Sequence, residues 1–168
     1  LLALGSDFEI SSVGELQQLL QLGVPGPSVI SGNPVKTPSL IREGYAAGMA
    51  HFAFDSAAEV DKIAALAPGA GLVVRINVPN TASDWPLDRK FGVDTDEAAE
   101  LMLYARERGL RPEGLTFHVG SQCREAQSWR QAMGIARQLW DWCVDKGMQL
   151  DVVYVGGGMP VVYDRDDV

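Results

Sequence analysis

An imidazole, a glycine and a hydroxyl follow one another at the end of an apolar run: residues 114–122 read Gly-Leu-Thr-Phe-His-Val-Gly-Ser-Gln. A second apolar run, 151–155, ends in Gly156, Gly157 and Gly158. His118 is one of two histidines in 168 residues, and its ring can stack on a flat ligand or hydrogen-bond to it. Glycines directly after a strand let the backbone approach a bound group closely, and Ser121 adds a hydroxyl. Three glycines in a row also raise the entropy lost on folding, which argues for a use, most simply the gripping of a phosphate. Side by side, the two strand ends make a site for an anion joined to a ring. A satisfied core histidine is the ordinary reading of an imidazole after Phe117; the loop of Gly120 and Ser121 favours ligand contact.

Other residues carry weaker signals. Arg75 lies inside an apolar run at 72–77, where an unpaired guanidinium would be costly to bury. Glu9 is expected as its internal ion-pair partner. Lys36 invites a Schiff-base role, but nothing near it in sequence desolvates it, and it is read as a solvated lysine ahead of a helix. The stretch 78–94 is long for a connection from strand to helix and holds Trp85, Arg89, Lys90 and Phe91. It is expected to be a mobile lid or an interface loop. Cys123 and Cys143 show neither metal nor disulfide spacing and are read as reduced thiols without a chemical role.

What positions these groups is an alternation of strand and helix. Strands are expected at 8–11, 28–31, 51–54, 72–77, 114–119 and 150–155, and helices near 13–22, 38–48, 56–66, 95–108 and 124–147. Ser12 with Glu15 and Ser56 with Glu59 are capping boxes, and Asp94 with Glu97 is a similar entry. In the last helix Trp129, Met133, Ala136, Trp140 and Cys143 form one apolar stripe. Strict alternation calls for a parallel sheet buried on both faces. Six such units match a large part of a (β/α)8 TIM barrel. A doubly wound open sheet is the competitor, weakened because no Gly-x-Gly-x-x-Gly follows the first strand. Glu9, Asn33, Asp55, Arg75, His118 and Gly156 all fall at or near C-terminal strand ends, which in a barrel converge on one face. Singly, each has a structural explanation, such as a turn at Asn33-Pro34 or a helix entry at Asp55. As a set they read as a site.

Bulk properties narrow the field. The hydrophobic fraction of 46% and charged fraction of 21% are those of a globular chain. A net charge of −8 argues against nucleic acid, which needs clustered basic residues. No apolar run nears the ~20 residues of a membrane helix, and no signal peptide is visible. A chain opening Leu-Leu-Ala-Leu without Met reads as a piece of a longer protein.

The segments at 8–15 (Phe-Glu-Ile-Ser-Ser-Val-Gly-Glu), 31–36 (Ser-Gly-Asn-Pro-Val-Lys), 54–56, 74–76, 90–92, 117–122 and 156–160 (Gly-Gly-Gly-Met-Pro), in this order, resemble a known family. It is the ornithine/lysine/diaminopimelate decarboxylases that depend on pyridoxal 5'-phosphate (PLP) and have an alanine-racemase-like, fold type III barrel. The resemblance runs nearly end to end and leans towards the ornithine/lysine branch. It implies that His118 stacks on the pyridoxal ring and that Ser121, Gly156, Gly157 and Gly158 bind the phosphate. It places Glu9 and Arg75 beside the cofactor, making His118, Glu9 and Arg75 the expected catalytic set, and puts Lys90 near a dimer interface. Met159 stands where Phe is more usual.

The implied activity is α-decarboxylation of a small-molecule basic amino acid to a diamine and CO2, as in polyamine biosynthesis, by a cytoplasmic homodimer. A diaminopimelate or siderophore-pathway decarboxylase, a non-catalytic regulatory relative, or a phosphate-binding barrel without PLP are the alternatives. The resemblance also implies that residues 1–168 are a partial PLP-binding barrel domain, strands two to seven of eight. The Schiff-base lysine, the glutamate paired with the pyridine nitrogen and a C-terminal β-domain would then fall outside the chain. Such a piece is expected to be inactive alone and to aggregate through unpaired strand edges.

Overall fold

The structure, a computed structural model, describes residues 1–86 and 90–162. Strand and helix alternate as β1 (Phe8–Ile10), α1 (Val13–Gln21), β2 (Val29–Ser31), α2 (Pro38–Ala46), β3 (His51–Phe54), α3 (Ala57–Leu66) and β4 (Gly71–Arg75). They continue as β5 (Ser83–Trp85), α4 (Thr95–Glu107), β6 (Arg111–His118), β7 (Ser121–Cys123), α5 (Ala126–Asp145) and β8 (Val152–Gly156). The expected strands and helices are all present, with ends moved by up to three residues.

The helix entries form as their sequences dictate. Ser12 Oγ accepts from Glu15 N, and the Glu15 carboxylate accepts from Ser12 N at 2.9 Å, a reciprocal capping box. Asp94 caps α4 by accepting from Glu97 N at 2.9 Å. At α3 only half the box closes. Ser56 Oγ accepts from Glu59 N, but the Glu59 carboxylate turns inward to Lys36 and Lys62.

The main sheet is parallel throughout, in the order β1-β2-β3-β4-β6-β8, and curls into part of a barrel. Strand period two sorts its residues. Phe52, Phe54, Leu72, Val74, Leu115 and Phe117 are fully buried in a core shared with Leu16, Ile41, Ile63 and Met102 of the helices. The alternate residues line the concave face. Phe117 belongs to the core and its neighbour His118 to the cavity because adjacent strand residues face opposite ways.

Two expectations change. The buried stripe of α5 is Ser128, Ala132, Ala136, Leu139 and Cys143, while Met133 is 41% exposed and Trp129 and Trp140 are half-buried. Small residues let the helix approach the sheet, and the large apolar ones sit at its margin. The stretch 78–94 is also no plain loop. β5 pairs antiparallel with β7, which had no signal in sequence. Farther on, Asn77 N donates to Val93 O at 2.7 Å, and Gly92 N donates to the Asp55 carboxylate at 2.9 Å. Arg89 lies outside the described residues. No helix among the described residues is long and apolar enough to cross a membrane.

Candidate cofactor site

The C-terminal ends of β1, β4, β6 and β8 bring Glu9, Arg75, Thr116, His118, Gly156 and Gly157 around one cavity of about 520 Å³. A recess of about 220 Å³ adjoins it, lined by Glu9, Arg75, Gly32, Asn33, Lys90 and Phe91. The predicted strand-end residues therefore do meet, apart from Asp55; Asn33 lines only the recess, and both act on the backbone. Asp55 holds Gly92, and Asn33 Oδ1 accepts from Val35 N at 3.2 Å as in an ordinary Asx turn.

His118 is fixed by its own loop. Gly120 N donates to its Nδ1 at 3.0 Å, so in the neutral ring Nε2 carries the proton. Burial and the positive charge of Arg75 hold the imidazole below its ordinary value. The ring is neutral at pH 7, suited to lying against an aromatic face.

The glycine loop is stitched to this histidine loop. Cys123 N donates to Gly158 O at 2.7 Å, and the Gln122 side chain exchanges two 2.8 Å hydrogen bonds with the backbone of Val161. Ser121 lies between, on β7. Gln122 itself adopts φ 52, a left-handed conformation unusual for a non-glycine residue. At Gly156 a Cβ would strike the Phe117 carbonyl and the His118 backbone; at Gly158, with φ +85, it would strike the Gly120 carbonyl. Gly158→Ala is therefore expected to shift the loop, weakening PLP binding at least tenfold, about 1.4 kcal/mol. Equilibrium dialysis checks this, and an unchanged affinity contradicts the cradle.

The expected Glu9–Arg75 ion pair does not form. Among the described residues Arg75 makes no salt bridge. Its guanidinium is drawn below its ordinary value by burial, while the fields of Glu9 and Asp55 oppose that shift. β1 and β4 are separated by two strands, so the two charges stand on different walls of the cavity. A carboxylate and a guanidinium are left to meet a ligand. Gly32 makes room for the first, since a Cβ there would occupy the place of the Glu9 carboxylate.

Lys36 is corrected outright. It is buried, not solvated: its side chain is 0% exposed and pairs with Glu59 at 3.0 Å. Its Nζ also donates to the carbonyls of Asn33 and Ala53. Burial draws the amine down to about 8, against the raising effect of Glu59. Its ion-pair partner Glu59 stands in the first turn of α3, more than 20 residues away, so the burial was invisible locally. All three of its partners are in the scaffold, so it braces β2, β3 and α3 rather than serving a ligand. Sequence reading also missed Thr116 and Tyr154 in the cavity wall. Both sit two residues before a chosen one, His118 and Gly156, and the strand period would have found them.

The chain is similar in sequence and in fold to known decarboxylases. The chain is 39% identical over 161 residues to a lysine/ornithine decarboxylase of Selenomonas ruminantium, covering 96% of this chain and 41% of the relative. It is 35% identical to an ornithine decarboxylase of Caenorhabditis elegans, covering 95% of this chain and 38% of the relative. The chain thus spans about two fifths of the length of these relatives. The crystal structure of the Selenomonas lysine decarboxylase superposes with a TM-score of 0.89 at 39% identity, over 95% of this chain and 42% of that one. A lysine/ornithine decarboxylase of Vibrio vulnificus, complexed with putrescine, gives 0.85 at 31% identity, over 97% and 43%.

The cofactor of this domain is pyridoxal phosphate, and the residues present fit it. Neighbouring backbone leaves no room for a side chain at Gly156 or Gly158, so the loop presents bare backbone suited to a phosphate, and the neutral His118 ring suits the pyridine face. Residues 1–168 match the family described as "Pyridoxal-dependent decarboxylase, pyridoxal binding domain", and the chain belongs to that family.

Proposed function

We propose that the protein carrying this chain decarboxylates a basic amino acid of the ornithine, lysine or arginine class, giving the corresponding amine and CO2. The observation that carries this reading is the convergence of Glu9, Arg75, His118, Gly156 and Gly157 on one cavity at the C-terminal strand ends. It is supported by relatives named as ornithine and lysine decarboxylases, and by a 26% identical viral arginine decarboxylase of TM-score 0.88.

When bound, PLP supplies a ring that takes up the electron pair left by departing CO2. The chain's own residues do the rest. His118 holds the ring face, and burial, helped by Arg75, keeps that imidazole neutral. Gly156, Gly157, Gly158 and Ser121 hold the phosphate, while Glu9 presents a carboxylate to a cationic group. In this reading the Schiff-base lysine, the glutamate for the pyridine nitrogen and the C-terminal β-domain belong to sequence outside residues 1–168. Lys36, tied to Glu59, is not that lysine. A cytoplasmic homodimer feeding polyamine synthesis is part of the same proposal.

The test is release of labelled CO2 from carboxyl-labelled ornithine, lysine and arginine by the full-length protein with PLP. Release from at least one is expected; a PLP-loaded protein inert towards all three refutes the reading.

A further inference from the structure

His51, the second histidine, takes no part in the site described above. It opens β3, near the N-terminal end of the sheet. Its Nε2 lies 3.2 Å from Glu113 Oε2 on β6, and its Nδ1 lies 2.8 Å from the Tyr154 hydroxyl on β8. Carboxylate, imidazole and phenol thus form one continuous line across the concave face. The His51 and Tyr154 rings meet edge to face, with centroids 5.7 Å apart. Room for the line is made by Gly71, where a Cβ would collide with the Glu113 carboxylate and the His51 ring.

The far end of the line reaches the cofactor site. Tyr154 precedes Gly156 by two residues on the same strand face and lines the same cavity as Glu9, Arg75 and His118. Hydrogen-bond accounting fixes the direction of the protons. The Glu113 carboxylate accepts, so the neutral His51 ring carries its proton on Nε2, leaving Nδ1 to accept from the Tyr154 O–H. Protonation of His51 puts a second proton on Nδ1. Tyr154 oxygen must then accept, and its own proton turns elsewhere, towards the cavity.

The groups facing this line are charged. Arg111 Nε pairs with Glu113 Oε1 at 2.7 Å, and the carboxylates of Asp7 and Asp151, with Glu113, act on Tyr154. Burial and these negative charges push the phenol up, so it keeps its proton near neutrality.

We propose that Tyr154 is a positioning residue of the cofactor cavity whose hydroxyl proton is turned away from the cavity or into it by the protonation state of His51, with Glu113 fixing the ring. The proposal rests on the reading that this cavity holds PLP.

Two measurements on the full-length holoprotein test it. Nitrogen-15 NMR of the neutral His51 ring in the wild type is expected to show the Nε2–H tautomer; the Nδ1–H tautomer overturns the proposal without need of a variant. The absorption of bound PLP followed against pH is expected to change in step with the protonation of His51 recorded by that NMR, a change lost in Tyr154→Phe and in His51→Asn. A purely structural role would lower the melting temperature and leave that profile unmoved. Superimposable profiles for wild type and Tyr154→Phe overturn the proposal. A wild-type protein that binds no PLP is a different result, and refutes the cofactor reading itself.

Discussion

Lys36→Ala in the full-length protein is expected to cost about 3 kcal/mol of stability at pH 7, the low end of what breaking a buried ion pair costs. The change leaves the carbonyls of Asn33 and Ala53 without this donor and opens a void where a fully buried side chain lay. Glu59 keeps Lys62, which holds the loss at the low end. A pH signature separates this from ordinary packing damage. The native amine titrates at about 8 and the unfolded one near 10.5. Between those values the unfolded chain binds the extra proton, so this group's contribution to stability rises with pH across that window. The wild type should therefore gain on Lys36→Ala from pH 8 to 10.5 in urea denaturation. A loss below about 1 kcal/mol, or a difference that does not change with pH, contradicts the buried brace.

His118→Ala is the second large effect. Among the described residues the ring's one hydrogen bond is from Gly120 N, and the residue is half-buried on the cavity side, so the fold is expected to survive. PLP affinity should fall about tenfold, and turnover on the order of 10²-fold because the ring is no longer held in its productive orientation. His118→Phe restores a flat face without the nitrogens and should recover most of the affinity. Dialysis and steady-state rates check both variants. Turnover near wild type in His118→Ala would remove the stacking role.

What was legible in the sequence were the features that a few neighbouring residues determine. The capping box at Ser12 and Glu15, the cap at Asp94 and the short apolar runs placed the helices and the six parallel strands to within three residues. Their places at C-terminal strand ends put His118 and Gly156 on one face of a barrel, and their pairing in the β6–β8 register makes them neighbours. What was missed depends on residues far apart in the chain. β5 has three residues and no alternation, and it exists because β7 lies beside it. Lys36 reads as solvated in the sequence because its ion-pair partner Glu59 fits a capping box, whose second half the carboxylate abandons. Arg75 was given Glu9 because both were internal, but a charge can be shared through space without a contact when its carriers sit on separate walls. In α5 two adjacent apolar lines competed, and the one rich in small residues won the sheet.

The central claim is that one cavity, walled by His118, Arg75 and Glu9 and closed by the glycine loop, is where PLP binds. A crystal structure of the full-length protein grown with PLP tests it most directly. The account predicts the phosphate hydrogen-bonded to the Gly156, Gly157, Gly158 loop and Ser121, with the pyridine ring against His118. PLP with its phosphate held elsewhere, or with His118 turned away from the ring, would contradict it.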